Sequence, residues 1–201
     1  MFARLLPAVL VACLLTTVAM AQTAPPTRIR GTIAAIDGSM ITVTTREGPK
    51  VDIVLNDPLT VATVKRVELA SIAPGAYVGI ASRPGPDGEL RAIEVLVFPE
   101  AMRGAGEGHY PWDLEPGSLM TNGTVTGTVE VTSGRELSLS FKGASNKITV
   151  APDAALVAFA PAERADLKVG ERVFFSATKN AEGKLATSRV TVGKDGVAPP
   201  M

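Results

Sequence analysis

The chain is poor in the residues that most often carry chemistry. It has one cysteine (Cys13), one histidine (His109), one tryptophan (Trp112) and two tyrosines in 201 residues. A single cysteine excludes an internal disulfide, and one histidine is a thin ligand set for a transition metal. The sequence contains no nucleophile elbow, paired-carboxylate motif or phosphate-binding loop. We therefore expect a protein that is not an enzyme.

An excess of charge of one sign is also missing. Twenty Lys and Arg residues face twenty Asp and Glu residues, and neither sign forms a sizeable run. Aromatic residues make up 4% of the chain and are not interleaved with basic ones. Binding of single-stranded nucleic acid needs a basic groove with stacking platforms, and an anionic membrane surface attracts polybasic segments. We expect neither partner, which leaves an unknown protein or small molecule.

Only the N-terminal segment is long and apolar. Residues 5–18 are mostly hydrophobic and follow the positive Arg4. Residues 19–21, Ala-Met-Ala, have the small-x-small pattern that precedes a signal-peptidase cleavage site. We predict a signal peptide over residues 1–21 and a periplasmic or secreted mature chain that begins at Gln22. The mature chain is expected to have no transmembrane segment, since no comparable apolar run follows.

A second interpretation of the same segment is a lipoprotein. Leu-Val-Ala at residues 10–12 precedes Cys13 and resembles a lipoprotein box, which would make Cys13 the lipid-modified N-terminus. The apolar run before Cys13 is short, and residues 14–15 continue it. We rank the lipoprotein below the cleaved signal peptide, after which the mature chain would contain no cysteine.

The two halves of the chain are similar in sequence. Ile-Arg-Gly-Thr-Ile at residues 29–33 matches Val-Thr-Gly-Thr-Val at 125–129, a displacement of 96. Residues 72–78 match residues 167–173 at a displacement of 95, which places Gly75 on Gly170. A nearly constant displacement indicates two copies of one small domain. The predicted boundaries are 28–98 and 124–192 for the copies, 99–123 for the connector between them and 193–201 for a disordered tail.

Within each copy, apolar and polar residues alternate, as is typical of β-strands. Ile-Thr-Val-Thr at residues 41–44 is an example, and Asp-Gly at 37–38 and Gly-Pro at 48–49 supply turns. Residues 65–72 predict a short helix. Three strands, a short helix and two strands is the connectivity of a five-stranded OB-type barrel; the alternative is a two-sheet sandwich without that helix. The predicted fold is all-β with short helices, arranged as two tandem OB-like five-stranded barrels.

Three recurring segments carry a family resemblance. Gly-Thr-Val at 127–129, Ala-Asp-Leu-Lys-Val-Gly-Glu-Arg-Val at 165–173 and Gly-Lys-Leu-Ala at 183–186 resemble a family of exported bacterial domains (the domain of unknown function 5666 type). The first copy departs from this frame at residues 71–74. Residues 106–114 are similar to proteins that are labelled metal ABC transporter permease, a label that needs several membrane spans. The resemblance implies an exported domain and brings no established activity.

The connector contains the rarest residues of the chain. His109, Tyr110, Trp112 and Asp113 are the candidate ligand-binding residues. The first hypothesis is structural: Tyr110 and Trp112 pack between the barrels, where a buried Trp stabilises by a few kcal/mol, with His109 beside them. A catalytic use of His109 with Ser118 and Asp113 has no supporting motif.

The second hypothesis for the connector is a soft metal site. His109 with Met102 and Met120 would combine imidazole and thioether ligands, which suit Cu(I). Asp113 or Glu107 would supply a further ligand. No cofactor is expected unless this copper site forms.

The sequence therefore leaves three classes of function. We favour an exported, non-catalytic binding or scaffold protein of unknown ligand. The alternative is a periplasmic metal-handling accessory protein that uses the His109 and methionine residues of the connector. A hydrolase is the third class and lacks every sequence signature that we would require.

Overall fold

The computed structural model describes residues 25–131 and 134–199. The predicted signal peptide over residues 1–21 and the alternative lipid anchor at Cys13 lie outside the described residues. No helix in the described part of the chain is long and apolar enough to cross a membrane.

The described chain is nearly all β. Its strands are Thr27–Asp37 (β1), Met40–Thr45 (β2), Lys50–Arg66 (β3), Tyr77–Pro84 (β4), Leu90–Val97 (β5), Gly108–Pro111 (β6), Leu119–Val131 (β7), Gly134–Phe141 (β8), Ala144–Val150 (β9), Ala155–Pro161 (β10), Arg172–Lys179 (β11) and Leu185–Val192 (β12). Three short 3-10 turns, Leu69–Ser71, Glu100–Met102 and Arg164–Asp166, are its only helical elements. The period-two pattern of the sequence therefore predicted the secondary structure class correctly.

The short helix predicted over residues 65–72 is reduced to a single turn. β3 continues to Arg66, and the helical part is only Leu69–Ser71. The run Val-Ala-Thr-Val at residues 61–64 is rich in β-branched residues, which favour a strand, and it pairs with β10. Pro161, which would suit the first position of a helix, instead ends β10.

Five strands form a closed barrel in the order β12-β11-β1-β2-β3, with β12 pairing back to β3. β1 and β11 are antiparallel, whereas β3 and β12 are parallel. Alternate side chains point inward, and the barrel core is closed by Phe175, which pairs with Ile29 across β11 and β1. Closure removes the exposed strand edges that a small open sheet would present.

A second unit contains β5-β4-β7-β8-β9. Its buried core includes Ile80, Leu139 and Ile148. β5 also meets β9 in parallel, at the pairs Leu90 with Ile148 and Arg91 with Thr149. β10 lies between the two units, antiparallel to β3 and parallel to β5, so all strands belong to one continuous sheet.

The strands of the barrel come from both halves of the sequence. β1, β2 and β3 belong to the first copy, and β11 and β12 belong to the second. Conversely, β4 and β5 of the first copy pair with β7, β8 and β9. The prediction that residues 28–98 and 124–192 each close a separate barrel is therefore not confirmed. β3 pairs with β2 at residues 50–54, with β12 at residues 54–62 and with β10 at residues 62–66, so it carries the chain from the barrel to the strand that lies between the two units.

The two units repeat the same strand register. Gly31 of β1 pairs with Val173 of β11, and Gly123 of β7 pairs with Val78 of β4. Val78 and Val173 therefore occupy equivalent positions, at the displacement of 95 that the sequence predicted. Gly31 and Gly123 are equivalent as well, although they are displaced by only 92 residues.

Two backbone hydrogen bonds support the same equivalence. The Gly170 amide donates to the Ile33 carbonyl at 2.9 Å, and the Gly75 amide donates to the Val125 carbonyl at 2.8 Å. Gly75 and Gly170 are thus equivalent, as the sequence predicted. Ile33 and Val125 are also equivalent, again at a displacement of 92.

The first strand was therefore aligned four residues too far along the chain. Residues 29–33 correspond to residues 121–125 and not to 125–129. The reason is that the β7–β8 hairpin is longer than the equivalent β1–β2 hairpin. Ile33 of β1 pairs with Val43, which is ten residues later, whereas Val125 of β7 pairs with Leu139, which is fourteen residues later. β7 also begins at Leu119, inside the segment that the sequence assigned to the connector.

The C-terminal segment is ordered as far as it is described, whereas the sequence predicted a disordered tail over residues 193–201. Lys194 pairs with Val197, and its ammonium group lies 2.9 Å from a carboxylate oxygen of Asp166. Val197 packs against a small apolar cluster between the two units. Residues 200–201 lie outside the described part.

Candidate functional site

Residues 99–118, here called the strap, lie between the barrel and the second unit. The Tyr77 hydroxyl donates to the Ala105 carbonyl at 3.1 Å, and the Arg103 guanidinium donates to the Gly75 carbonyl at 2.9 Å. β6, inside the strap, then pairs with the start of β7. The strap is therefore fixed by hydrogen bonds to the second unit before it reaches the barrel.

His109 lies at the end of the second unit. It is paired in register with Thr121, and its Nδ1 lies 2.8 Å from the Thr121 hydroxyl. Its ring stacks on Phe141 with centroids 6.2 Å apart. The residue is exposed, contrary to the expectation that it would lie beside Tyr110 and Trp112 and away from open solvent. The alternation of β6 explains this, since neighbouring side chains point to opposite faces of a strand.

The structure does not bring the predicted copper ligands together. Met120 pairs with Tyr110, one position away from the pair of His109 with Thr121, so the side chains of His109 and Met120 lie on opposite faces of the sheet. Met120 is buried, and Met102 lies apart in the first turn of the strap. Within residues 25–131 and 134–199, no group of three His, Cys, Asp or Glu side chains could hold a metal ion. The copper hypothesis gains no support from this geometry.

Ser118 has a structural role in the strap. Its buried hydroxyl lies 3.0 Å from the Trp112 carbonyl and 2.8 Å from the Glu115 carbonyl, and it accepts a hydrogen bond from the Glu115 amide. These bonds close the turn that brings Trp112 and Asp113 to the barrel. No hydrogen bond joins Ser118 to His109 in the described part of the chain.

Tyr110 and Trp112 are half-buried and contact each other edge to face, with centroids 6.1 Å apart. The Tyr110 hydroxyl donates to the Gly106 carbonyl and accepts from the Asn122 amide, both at 3.2 Å. Burial raises the pKa of Tyr110, although the positive charge of Arg28 opposes the shift. The pair packs at the junction of the two units, but neither ring is fully enclosed.

Trp112 docks on two arginines of the barrel. The Arg28 guanidinium lies 3.9 Å from the indole centroid, and that of Arg30 lies 5.6 Å away. A guanidinium over an indole ring is stabilised by its attraction to the face of the π-system. The indole Nε1 is buried and has no hydrogen-bond partner among the described residues. The strap therefore meets the barrel through cation–π contacts and not through an apolar wedge.

The Asp113 carboxylate and the backbone carbonyls of Asp113 and Leu114 complete this junction. The Asp113 carboxylate lies 2.8 Å from an Arg30 terminal nitrogen and 3.6 Å from one of Arg28. Arg46 donates to the Leu114 carbonyl at 2.8 Å and to the Asp113 carbonyl at 3.1 Å. Three barrel arginines thus hold two consecutive strap residues.

The arginines lower the pKa of Asp113. Burial by itself would raise this pKa, but the hydrogen bond from Arg30 and the charges of Arg30 and Arg28 outweigh it and hold the value below the ordinary 3.8. Because the folded pKa is the lower one, the ionised carboxylate stabilises the docked strap above pH 3.8. This stabilisation is lost as the pH falls through the folded pKa.

We predict that acid loosens the strap before the barrel. Trp112 is the only tryptophan of the chain, so its fluorescence reports on the strap alone. Its emission should stay constant above about pH 4 and shift to the red as the pH falls below 3.8, while far-ultraviolet circular dichroism is unchanged. Asp113→Asn should remove this transition; the same transition in that variant would contradict the assignment.

A cavity of about 420 Å³ lies beside this junction. Its wall combines the barrel, the second unit, the strap and the C-terminal segment, and includes Arg30, Arg46, Arg172, Glu94, Leu114 and Pro199. A neighbouring cavity of about 280 Å³ shares Arg30 and Arg46 and includes Asp113. Of the predicted ligand-binding residues, only Asp113 lines either of these cavities.

The sequence predictions missed the arginines of this site. Arg28 and Arg30 alternate with Ile29, Gly31 and Ile33 along β1 and lie on the outer face of the strand. The pattern gave no sign that the strap would cover this face. Arg172 lies in the repeated motif at residues 165–173, and that motif indicates its register but not a role in binding.

No protein-family model, curated protein or solved structure matches the chain. The resemblance to exported bacterial domains of unknown function therefore stays a prediction. The site must be interpreted from its own geometry.

Proposed function

We propose that this chain is an exported, non-catalytic binding protein built from two OB-like units that have exchanged their last two strands. The strand order of the barrel supports this proposal. Starting from β1, the order is β1-β2-β3-β12-β11, with β3 parallel to β12 and β1 antiparallel to β11. An OB-type barrel has this order when β11 and β12 serve as its fourth and fifth strands.

The same arrangement is proposed for the second unit. β7, β8 and β9 take the places of the first three strands, and β4 and β5 take the places of the fourth and fifth. Support comes from the contact of β5 with β9 and from the repeated register at Gly31 and Gly123. Exchange of equivalent strands between two copies conserves their contacts, as in domain swapping.

The cavity of about 420 Å³ at the junction of the two units carries the proposal of a binding function. Small-molecule sites have volumes of roughly 300–1,000 Å³ and occur preferentially between domains. The strap makes the site particular to this chain, because the proposed duplication of the two units does not account for it. A ligand here would contact the barrel, the strap and the second unit together.

The ionisable residues of the cavity favour binding over catalysis. Arg30, Arg46 and Arg172 are permanently protonated and cannot act as general bases. Glu94 is the remaining ionisable side chain in the cavity wall, and no His, Cys, Lys or Tyr accompanies it there. The proposal of a non-catalytic protein follows from this set of side chains.

The test is to recover the protein with its ligand from the compartment to which it is exported. Native mass spectrometry of the mature chain should show one bound small molecule. Thr44 lines the cavity, so Thr44→Phe should abolish retention by filling the space. Thr178→Phe, on an exposed position of β11, is the matched control and should retain the molecule. Equal retention in both variants would contradict the proposed site.

A further inference from the structure

We infer that the ligand of the 420 Å³ cavity carries a carboxylate or phosphate group that binds Arg30 and Arg172, and that the strap residue Asp113 competes with this group for Arg30. This inference rests on the proposed binding function and specifies the class of ligand. It is carried by the charge of the cavity wall and by the unused hydrogen-bond donors of the two arginines.

The charge of the cavity wall is positive. Arg30, Arg46 and Arg172 contribute three cations, whereas Glu94 contributes the single acidic side chain. A guanidinium presents paired donors that match the oxygens of a carboxylate or phosphate. In a partly enclosed site between two protein units, the attraction between such charges and a ligand anion is screened less than in open solvent. An anionic group is therefore the ligand chemistry that this wall favours.

Arg172 is available to a ligand. It is an exposed residue of β11 and pairs in register with Thr32 on the outer face of the barrel. Within the described residues its side chain makes no ion pair and no hydrogen bond. Its donors therefore remain free at the edge of the cavity.

Arg30 is only partly used within the protein. One terminal nitrogen donates to Asp113, but its Nε is buried and has no hydrogen-bond partner among the described residues. The side chain is only 13% exposed, so solvent has little access to it. A buried donor without a partner is unfavourable, and a carboxylate or phosphate that displaces Asp113 from this guanidinium would supply the missing acceptor.

Asp113 holds a terminal nitrogen of the same guanidinium. It lines the neighbouring cavity, which shares Arg30 with the main one. A ligand anion on Arg30 would therefore lie close to a second negative charge, which repels it. Removing that charge while keeping the shape of the side chain should strengthen binding.

The remaining wall limits the size of the ligand. Leu114 and Pro199 add apolar surface beside the arginines, whereas the side chain of Val173 is buried in the barrel core. A short carbon skeleton with an anionic end matches this combination. Succinate and inorganic phosphate are suitable probes of the two anionic chemistries, and butane-1,4-diol is the uncharged analogue of succinate.

The experiment is isothermal titration of the full mature chain with these three probes at low ionic strength. Succinate, phosphate or both should bind, and butane-1,4-diol should not. Arg172→Gln should weaken binding by about tenfold, since a charge-assisted hydrogen bond is lost. Arg189→Gln, which removes an exposed arginine of β12 outside the cavity, is the matched control and should bind as the parent does.

Asp113→Asn supplies a result that misfolding cannot produce. It should tighten anion binding about threefold, the scale of an exposed charge interaction, and added salt should weaken binding in every variant. Unchanged or weaker binding in Asp113→Asn would overturn the competition. Failure of both anions to bind at millimolar concentration would overturn the anionic class. The anionic class would also be overturned if butane-1,4-diol bound to the parent and to Arg172→Gln but not to Thr44→Phe. That result would leave the proposed binding site intact.

Discussion

Gly31→Ala and Gly123→Ala are each expected to lower the free energy of unfolding by about 3 kcal/mol, at the upper end of the range for overpacking. A Cβ at Gly123 would lie 2.6 Å from the Ser140 carbonyl oxygen, and one at Gly31 would lie closer still to the Thr44 carbonyl oxygen. Real Cβ contacts are essentially never shorter than 3.0 Å. The obstacle is backbone, so no side-chain rotation relieves it and the paired strands must separate.

Gly127→Ala is the matched control, because the sequence alignment equated Gly127 with Gly31. The nearest atoms to a Cβ at Gly127 lie 4.0 Å away. Alanine in a strand is otherwise favoured over glycine by roughly 0.5–1 kcal/mol. We expect this variant to be neutral or slightly stabilised in urea unfolding. A loss at Gly127 as large as that at Gly31, with little loss at Gly123, would favour the displacement of 96 and contradict the structural alignment.

The misalignment has a simple origin in the sequence. Gly-Thr-Val occurs twice within β7, at residues 123–125 and at 127–129. The triplets are four residues apart, so strict alternation would place their valines on one face of the strand. In the structure a β-bulge lies between them, and Val125 is buried whereas Val129 is exposed. Strand pairing separates the triplets as well, since Gly123 and not Gly127 lies opposite Val78. Because the two hairpins differ in length, the correct triplet has a displacement of 92. The triplet at residues 127–129 has a displacement of 96, which agrees better with the displacement of 95 found for the later motif.

The closure of one barrel by strands from both halves of the chain could not be predicted from the sequence. The two copies have the same pattern, so β1 accepts β11 or its equivalent β4 with similar side-chain contacts. The direction in which the chain leaves β3 and β10 decides whether β1 pairs with β11 or with β4. β3 continues without a break past the barrel and pairs with β10, a long-range contact that no local pattern of residues predicts.

The rare residues of the chain are concentrated in the connector, and this concentration singles out the segment that contains the strap. Tyr110 and Trp112 lie where the two units meet, and their use in binding stays a prediction. The partner of Trp112 was not foreseen, because Arg28 and Arg30 resemble any solvated residues on the outer face of a strand. Local alternation predicts that a side chain leaves the core, but it does not predict which other segment covers it.

The proposed exchange of strands has one consequence that two self-contained copies would lack. Phe175 belongs to the second copy, yet it is buried in the barrel opposite Ile29 of the first copy. Its equivalent, Ile80, belongs to the first copy and is buried in the second unit opposite Thr121. A cavity made in either copy should therefore loosen strands of the other copy.

We predict that Phe175→Ala lowers the free energy of unfolding by about 3–5 kcal/mol and Ile80→Ala by about 2–5 kcal/mol, the usual ranges for buried Phe and Ile. Native-state hydrogen exchange locates the loosened strands, because protection reports local opening. Phe175→Ala should speed exchange first in β1 and β2, and Ile80→Ala should speed it first in β7 and β8. The reverse assignment would show that each copy closes on itself, because β11 would then pair with β7 and a cavity at Phe175 would leave β1 protected.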